Sequence, residues 1–240
     1  MILAAFIVLL AAFVRSVSGF GFALLATPLL TLVFGVKSAV VIVVILSIFS
    51  CTLLLFYMRR HVDVKRAAFI TLAAIPGIPL GAYLLSRLDQ SVVKLAIAIL
   101  IIIFSILLLL GHSYRFRREA LACGIVGFTS GILLTSTSIG GPPIVLFLLN
   151  QGLVKERFVG TVAASILFMG VVGIGTFSSL GMINIALLIK VAILLPGLYL
   201  GLYIGAKLLP RIDSLLFKKI ALSVALTGAL IIIVDLLVSL

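Results

Sequence analysis

The sequence predicts an all-α polytopic membrane protein made of two inverted-topology repeats, each with a broken or re-entrant helix pair followed by three transmembrane helices. Three observations lead there. Long apolar runs recur along the 240-residue chain, each enough to cross a hydrocarbon core about 30 Å thick. One order of features occurs twice: a short apolar run, a polar break rich in glycine, a second short run, then three long runs. Basic residues in the loops crowd onto one side of the topology this order implies.

Composition supports the membrane class. The chain is 64% hydrophobic and 10% charged, with a mean hydropathy of +1.49, whereas a soluble domain carries about 25% charged residues. A transmembrane barrel would alternate polarity in segments of about ten residues, and this chain does not. A net charge of +12 would suggest nucleic acid in a soluble protein. Here the basic residues lie in short loops and set orientation, so the expected surroundings are lipid, with no nucleic-acid partner. Cys51 and Cys123 sit in apolar surroundings without CxxC spacing and read as inert buried thiols, with a redox or substrate role as the alternative. No basic residue precedes the first apolar stretch, so no cleavable signal peptide is expected.

In chain order, residues 1–14 form an apolar run of about 21 Å if helical, too short to span comfortably. Arg15 to Gly21 breaks it, and a second short run covers residues 22–34. Full spans are expected at about 38–58, 67–86 and 92–111. After a basic loop at 112–119 the pattern restarts. A short run at 120–134 leads into a polar break, Thr135 to Pro143, and another short run at 144–149. Spans at about 158–177, 185–208 and 216–237 complete the chain. The organisation is therefore a first repeat at 1–111, a connecting loop at 112–119 and a second repeat at 120–240.

Residue matches support the repeat. Pro76-Gly77, Gly81 and Tyr83 correspond to Pro196-Gly197, Gly201 and Tyr203. Arg87-Leu88-Asp89 and Lys94 correspond to Arg211-Ile212-Asp213 and Lys218, and Val36-Lys37 and Ser47 to Val154-Lys155 and Ser165. Each half crosses an odd number of times whether its short runs are re-entrant or tilted spans, so the second half starts from the opposite side. Secondary transporters are often built this way, with substrate held near the midplane where the repeats meet.

Loop charges set the orientation. One face collects Arg59, Arg60, Lys65, Arg66, Arg115, Arg117, Arg118, Lys155, Arg157, Lys207, Arg211, Lys218 and Lys219. The other collects only Lys37, Arg87 and Lys94. The first is expected to be cytoplasmic, which puts both termini outside the cytoplasmic membrane.

Two basic residues remain. Lys190 lies near the start of its span and can snorkel to the interface. Arg15 falls well inside the bilayer beside hydroxyls and glycines. A buried arginine is costly, so it either satisfies backbone carbonyls at a helix end or faces an anion. The breaks suit an anion for another reason: a helix that starts at mid-membrane exposes unpaired N–H groups and the positive end of its dipole. Ser16, Ser18, Thr135, Ser136, Thr137 and Ser138 add hydroxyls, and Gly19, Gly21, Gly140 and Gly141 clear space for an oxyanion to reach the backbone. Pro142 and Pro143 fit a first helical turn. The structural alternative is that both breaks are kinks or close-packing sites, which still places them in the protein interior. Gly77-xxx-Gly81 and Gly197-xxx-Gly201 read as close-packing spacings.

Absences narrow the chemistry. Asp63, Asp89, Glu119, Glu156, Asp213 and Asp235 all lie in loops or near the C-terminus, so no midplane carboxylate serves a cation or a proton relay. His61 and His112 lie in loops as well, which leaves no intramembrane His–Ser dyad or HExxH centre. No catalytic residue, metal site or cofactor is expected.

Ser18-Gly19-Phe20-Gly21 followed by Pro28, and Ser138-Ile139-Gly140-Gly141-Pro142-Pro143, each open one half, and each half carries a later Pro-Gly-x3-Gly segment. In these features the chain resembles the sulfite exporter TauE/SafE family over nearly its whole length. Phe20 and Phe22 flank Gly21, a departure from the glycine-richest form of the first motif. The resemblance implies a transporter, commonly an exporter, of sulfite, organosulfonates or related sulfur oxyanions, with a small anion and the lipid bilayer as partners. An anion channel of the same architecture and a carrier of small carboxylates are the alternatives. The sequence leaves oligomeric state open, a homodimer among the options.

Overall fold

Apolar sequence interrupted by short polar turns folds into helices because each helix satisfies its own backbone hydrogen bonds, as lipid requires. The computed structural model describes residues 1–110, 119–149, 151–208, 223 and 226–234, apart from the side chains of Val17, Ser18 and Leu110. Among the described residues there is no strand. The helices are α1 (Ile2–Ser18), α2 (Phe22–Phe34), α3 (Val36–Met58), α4 (Val64–Ala74), α5 (Gly77–Arg87), α6 (Gln90–Leu110), α7 (Glu119–Thr137), α8 (Gly141–Leu149), α9 (Lys155–Ser179) and α10 (Ile185–Leu208). Residues 226–234 are helical too, inside the last predicted span; the rest of that span and most of the connecting loop lie outside the described residues.

Five of these helices are long and apolar enough to cross a membrane, and α4 with α5 makes a sixth, bent by 46°. The bend falls at Ile75–Pro76, where proline ends one helix and opens the next. Pro196, its counterpart by sequence, sits inside an unbroken α10.

The breaks are shorter than the sequence suggested. Arg15 to Ser18 belong to α1, and only Gly19 to Gly21 leave the helix. Thr135 to Thr137 close α7, and only Ser138 to Gly140 separate it from α8. The reason is local. Thr135, Ser136 and Thr137 each donate a hydroxyl to the carbonyl four residues back, at 3.1, 2.7 and 2.8 Å, which keeps them helical. Pro142 and Pro143 fill the first turn of α8, where an absent N–H costs nothing.

α3 and α9 are the most buried spans and pack on each other at the centre. Around them the halves exchange partners: α1 lies against α10, and α7 lies against α4 and α5. Glycine makes both contacts possible. Gly197, Gly201 and Gly205 of α10 face the carbonyls of Ala5, Leu9 and Phe13. Gly77 and Gly81 of α5 face the carbonyls of Phe128 and Ile132. A Cβ at Gly197 would come within 2.9 Å of Ala5 O, so the small residues set the backbone separation. The register rises along both members of each pair, so α1 runs parallel to α10 and α7 parallel to α5. Large apolar side chains point outward along α6 and α10, among them Ile103, Ile106, Leu107, Ile189, Ile193 and Leu200. Soluble monomers rarely expose so much apolar surface; a multi-pass membrane protein covers it with lipid.

Candidate functional site

The ends of α1 and α7, and the starts of α2 and α8, meet beside α3 and α9. At the first break, Gly19 takes φ 79° and caps α1, donating its N–H to Arg15 O, and Gly21 takes φ 98° at the N-cap of α2. At the second, Ser138 takes φ 61°, a left-handed conformation that costs an L-residue about 1–3 kcal/mol. Two hydrogen bonds offset that cost. Ser138 Oγ donates to Thr137 O at 2.5 Å, which commits its one proton, and so Thr27 Oγ1, 2.5 Å away, is the donor to Ser138. Thr27 belongs to α2, so this bond ties the two breaks together.

Between the breaks is a cavity of about 30 Å³. Its polar lining is Arg15, Ser47 and Ser138, and Gly21 and Gly141 contribute backbone from the two short-helix starts. Phe22, Ala23 and Leu24, the first turn of α2, also line it, and no side chain caps their N–H groups. Phe20, Leu134, Pro142 and Ile166 supply apolar walls.

Arg15 is 3% exposed. One guanidinium nitrogen, Nη2, donates to Cys51 Sγ at 2.8 Å, while Nε is buried with no hydrogen-bond partner. Among the described residues Arg15 has no carboxylate: the ion pairs are Arg66 with Asp63 and Arg66 with Glu119. Its position in the last turn of α1 lets the helix dipole offset part of its charge. Among the described residues the guanidinium meets a thiol and a cavity. A buried cation with a neutral partner and an orphaned donor is an arrangement that an anion completes.

The sequence-predicted residues divide. Arg15, Gly21, Ser138 and Gly141 line the cavity. Ser16 donates to Leu202 O at 3.0 Å and ties α1 to α10. Thr135 shares its one hydroxyl proton between Gly131 O and Ile78 O, the latter at 2.7 Å, and ties α7 to α5. Ser136 and Thr137 keep their hydroxyls on their own helix. Gly19 abuts Val159, and Gly140 abuts Leu134 and Ser130 O, so both serve close packing at the breaks. The Ser18 side chain lies outside the described residues.

Sequence reasoning treated Cys51 as inert and gave Ser47 no role beyond the repeat. Their spacing held the signal, since residues four apart share a helix face and place hydroxyl and thiol on one side of α3. Comparison with curated proteins and with solved structures returned no match. The sequence model of a family described as sulfite exporter TauE/SafE matches residues 4–232, nearly the full length and both breaks, and the chain belongs to that family.

Proposed function

We propose that this chain, whose TauE/SafE family implies membrane transport of sulfite or related anions, is a secondary transporter that exports a small sulfur oxyanion, sulfite or an organosulfonate, across the cytoplasmic membrane, by alternating access between two inverted repeats. Arg15 supplies the charge, and Ser47 and the amides opening α2 supply hydrogen bonds. The observation that carries the reading is Arg15 itself: buried, without a carboxylate among the described residues, with Nε unpaired, and facing a cavity built from both breaks.

Helix directions support the inverted repeats. Lys37 Nζ donates to Ser86 O at 2.8 Å, so α3 starts where α5 ends. Lys37 and Lys190 line one cavity, so α10 starts at that face too. Parallel to α10, α1 leaves this face; parallel to α5, α7 approaches it. The opening helices of the two halves therefore head in opposite directions. The loop charges favour the Lys37 face as the outer one. A cavity of about 30 Å³ holds about one water, which suits an occluded state from which the halves must part to pass an anion.

Purified protein in sulfite-loaded liposomes tests the reading. Sulfite efflux well above protein-free vesicles is expected, and Arg15→Ala should bring it to that baseline. Normal efflux from Arg15→Ala would remove the proposed site. Tracer counterflow separates a carrier, which exchanges, from a pore, which does not.

A further inference from the structure

Away from the breaks, a second cavity of about 240 Å³ opens at the face where α3 and α10 begin. Lys37 and Ser38 line it from the first turn of α3, and Asn184, Leu187 and Lys190 from the start of α10. Both lysines are half-buried. Snorkelling predicts that Lys190 turns to open solvent, yet its ammonium lies 5.0 Å from the Phe34 ring centre, held at the cavity by the end of α2. Lys37 is anchored on Ser86 O. No carboxylate lines the cavity, and neither lysine makes an ion pair among the described residues. Two helix starts point the positive ends of their dipoles at the same space, and Gly35 caps α3 without a side-chain acceptor.

Two fixed cations around a concave space on a face otherwise poor in basic residues are not needed for orientation, and they raise the local concentration of anions. We propose that this cavity is a second anion site, a vestibule that binds small oxyanions through Lys37 and Lys190. The ligand chemistry is a compact oxyanion, free in solution or carried on an anionic lipid headgroup. That the vestibule serves export rests on the transport reading above; that it binds oxyanions does not. In export it would hold the anion after it leaves Arg15.

Inorganic phosphate is the probe, titrated by calorimetry into the full chain in nanodiscs of zwitterionic lipid. Binding is expected that weakens as chloride is added, since exposed charges are screened over about 10 Å at 0.1 M salt. The double variant Lys37→Gln/Lys190→Gln should weaken it about tenfold or more, while Lys65→Gln, which removes an exposed charge on the opposite face, should leave it within about twofold. Should the double variant misfold by circular dichroism, Lys190→Gln alone, which leaves the Lys37 anchor intact, carries the comparison. A second preparation with anionic phospholipid identifies the source. If the lipid suppresses phosphate binding in the wild type but not the residual binding of the double variant, the headgroup occupies the same site. If it has no effect, the free ion does. Wild-type affinity in the lysine variants, or no phosphate binding in either lipid, would overturn the proposal. The readout is binding and not flux, so this test stands whether or not Arg15 carries transport.

Discussion

The break between α1 and α2 turns on two glycines, Gly19 and Gly21, whereas the break between α7 and α8 turns on Ser138, a residue with a side chain in the same left-handed region. The first break brings charge through Arg15. The second brings none, and all four of its hydroxyls donate to backbone carbonyls of α7 or α5. Ser138 alone bonds across to the other break, through Thr27. The two halves of the chain thus line the cavity differently: the first brings a charge to it, and the second shapes and braces it. The proposed repeat does not need equal chemistry from its two copies. One buried guanidinium is already costly in a membrane, and a second at the same place would repel it.

The shared architecture is tested by the largest effect. Gly81→Val and Gly201→Val each push a side chain into a facing carbonyl, Ile132 O and Leu9 O respectively. Overpacking of this kind costs about 1–3 kcal/mol or more, and both variants should lose the monodisperse folded fraction on gel filtration. Loss in one half only would break the symmetry of the α1–α10 and α7–α5 contacts. Next comes the backbone of the first break: Gly21→Ala places a Cβ at φ 98° and should lower stability by about 1–2 kcal/mol in a thermal melt. Ser138→Gly and Ser138→Ala then separate strain from hydrogen bonding. Alanine keeps the strain and loses both bonds, about 1–3 kcal/mol, and glycine should recover part of that loss. If glycine is the worse of the two, strain at Ser138 is not what its hydroxyl offsets. The smallest effect belongs to Ser136→Ala, whose hydroxyl bonds Ile132 O on its own helix. Stability within about 0.5 kcal/mol and near-normal sulfite flux are expected.

Much of this was legible in the chain. Spans follow from apolar length, and the breaks from glycine and proline. Arg15 stands out because a cation in hydrocarbon demands a reason. What stayed hidden depends on rotation about each helix axis, which tertiary packing fixes. Thr135, Ser136 and Thr137 read as equal donors, yet the turn of α7 aims none at the cavity. Pro76-Gly77 and Pro196-Gly197 are the same dipeptide, and one ends a helix while the other lies within one. Cys51 read as apolar filling because nothing in its neighbourhood along the chain announces a guanidinium from α1.

The role of Arg15 is open to one direct measurement: sulfite counterflow in proteoliposomes for wild type, Arg15→Lys and Arg15→Gln at matched protein content. An anion held by this charge requires Arg15→Gln to fall to the empty-vesicle rate. A loss of about 30-fold or more is expected, as for removing one member of a buried charge pair worth about 2 kcal/mol or more. Arg15→Lys should keep a measurable rate with a raised KM, because the charge stays and the planar fork is lost. Wild-type exchange by Arg15→Gln would contradict the anion site between the two breaks.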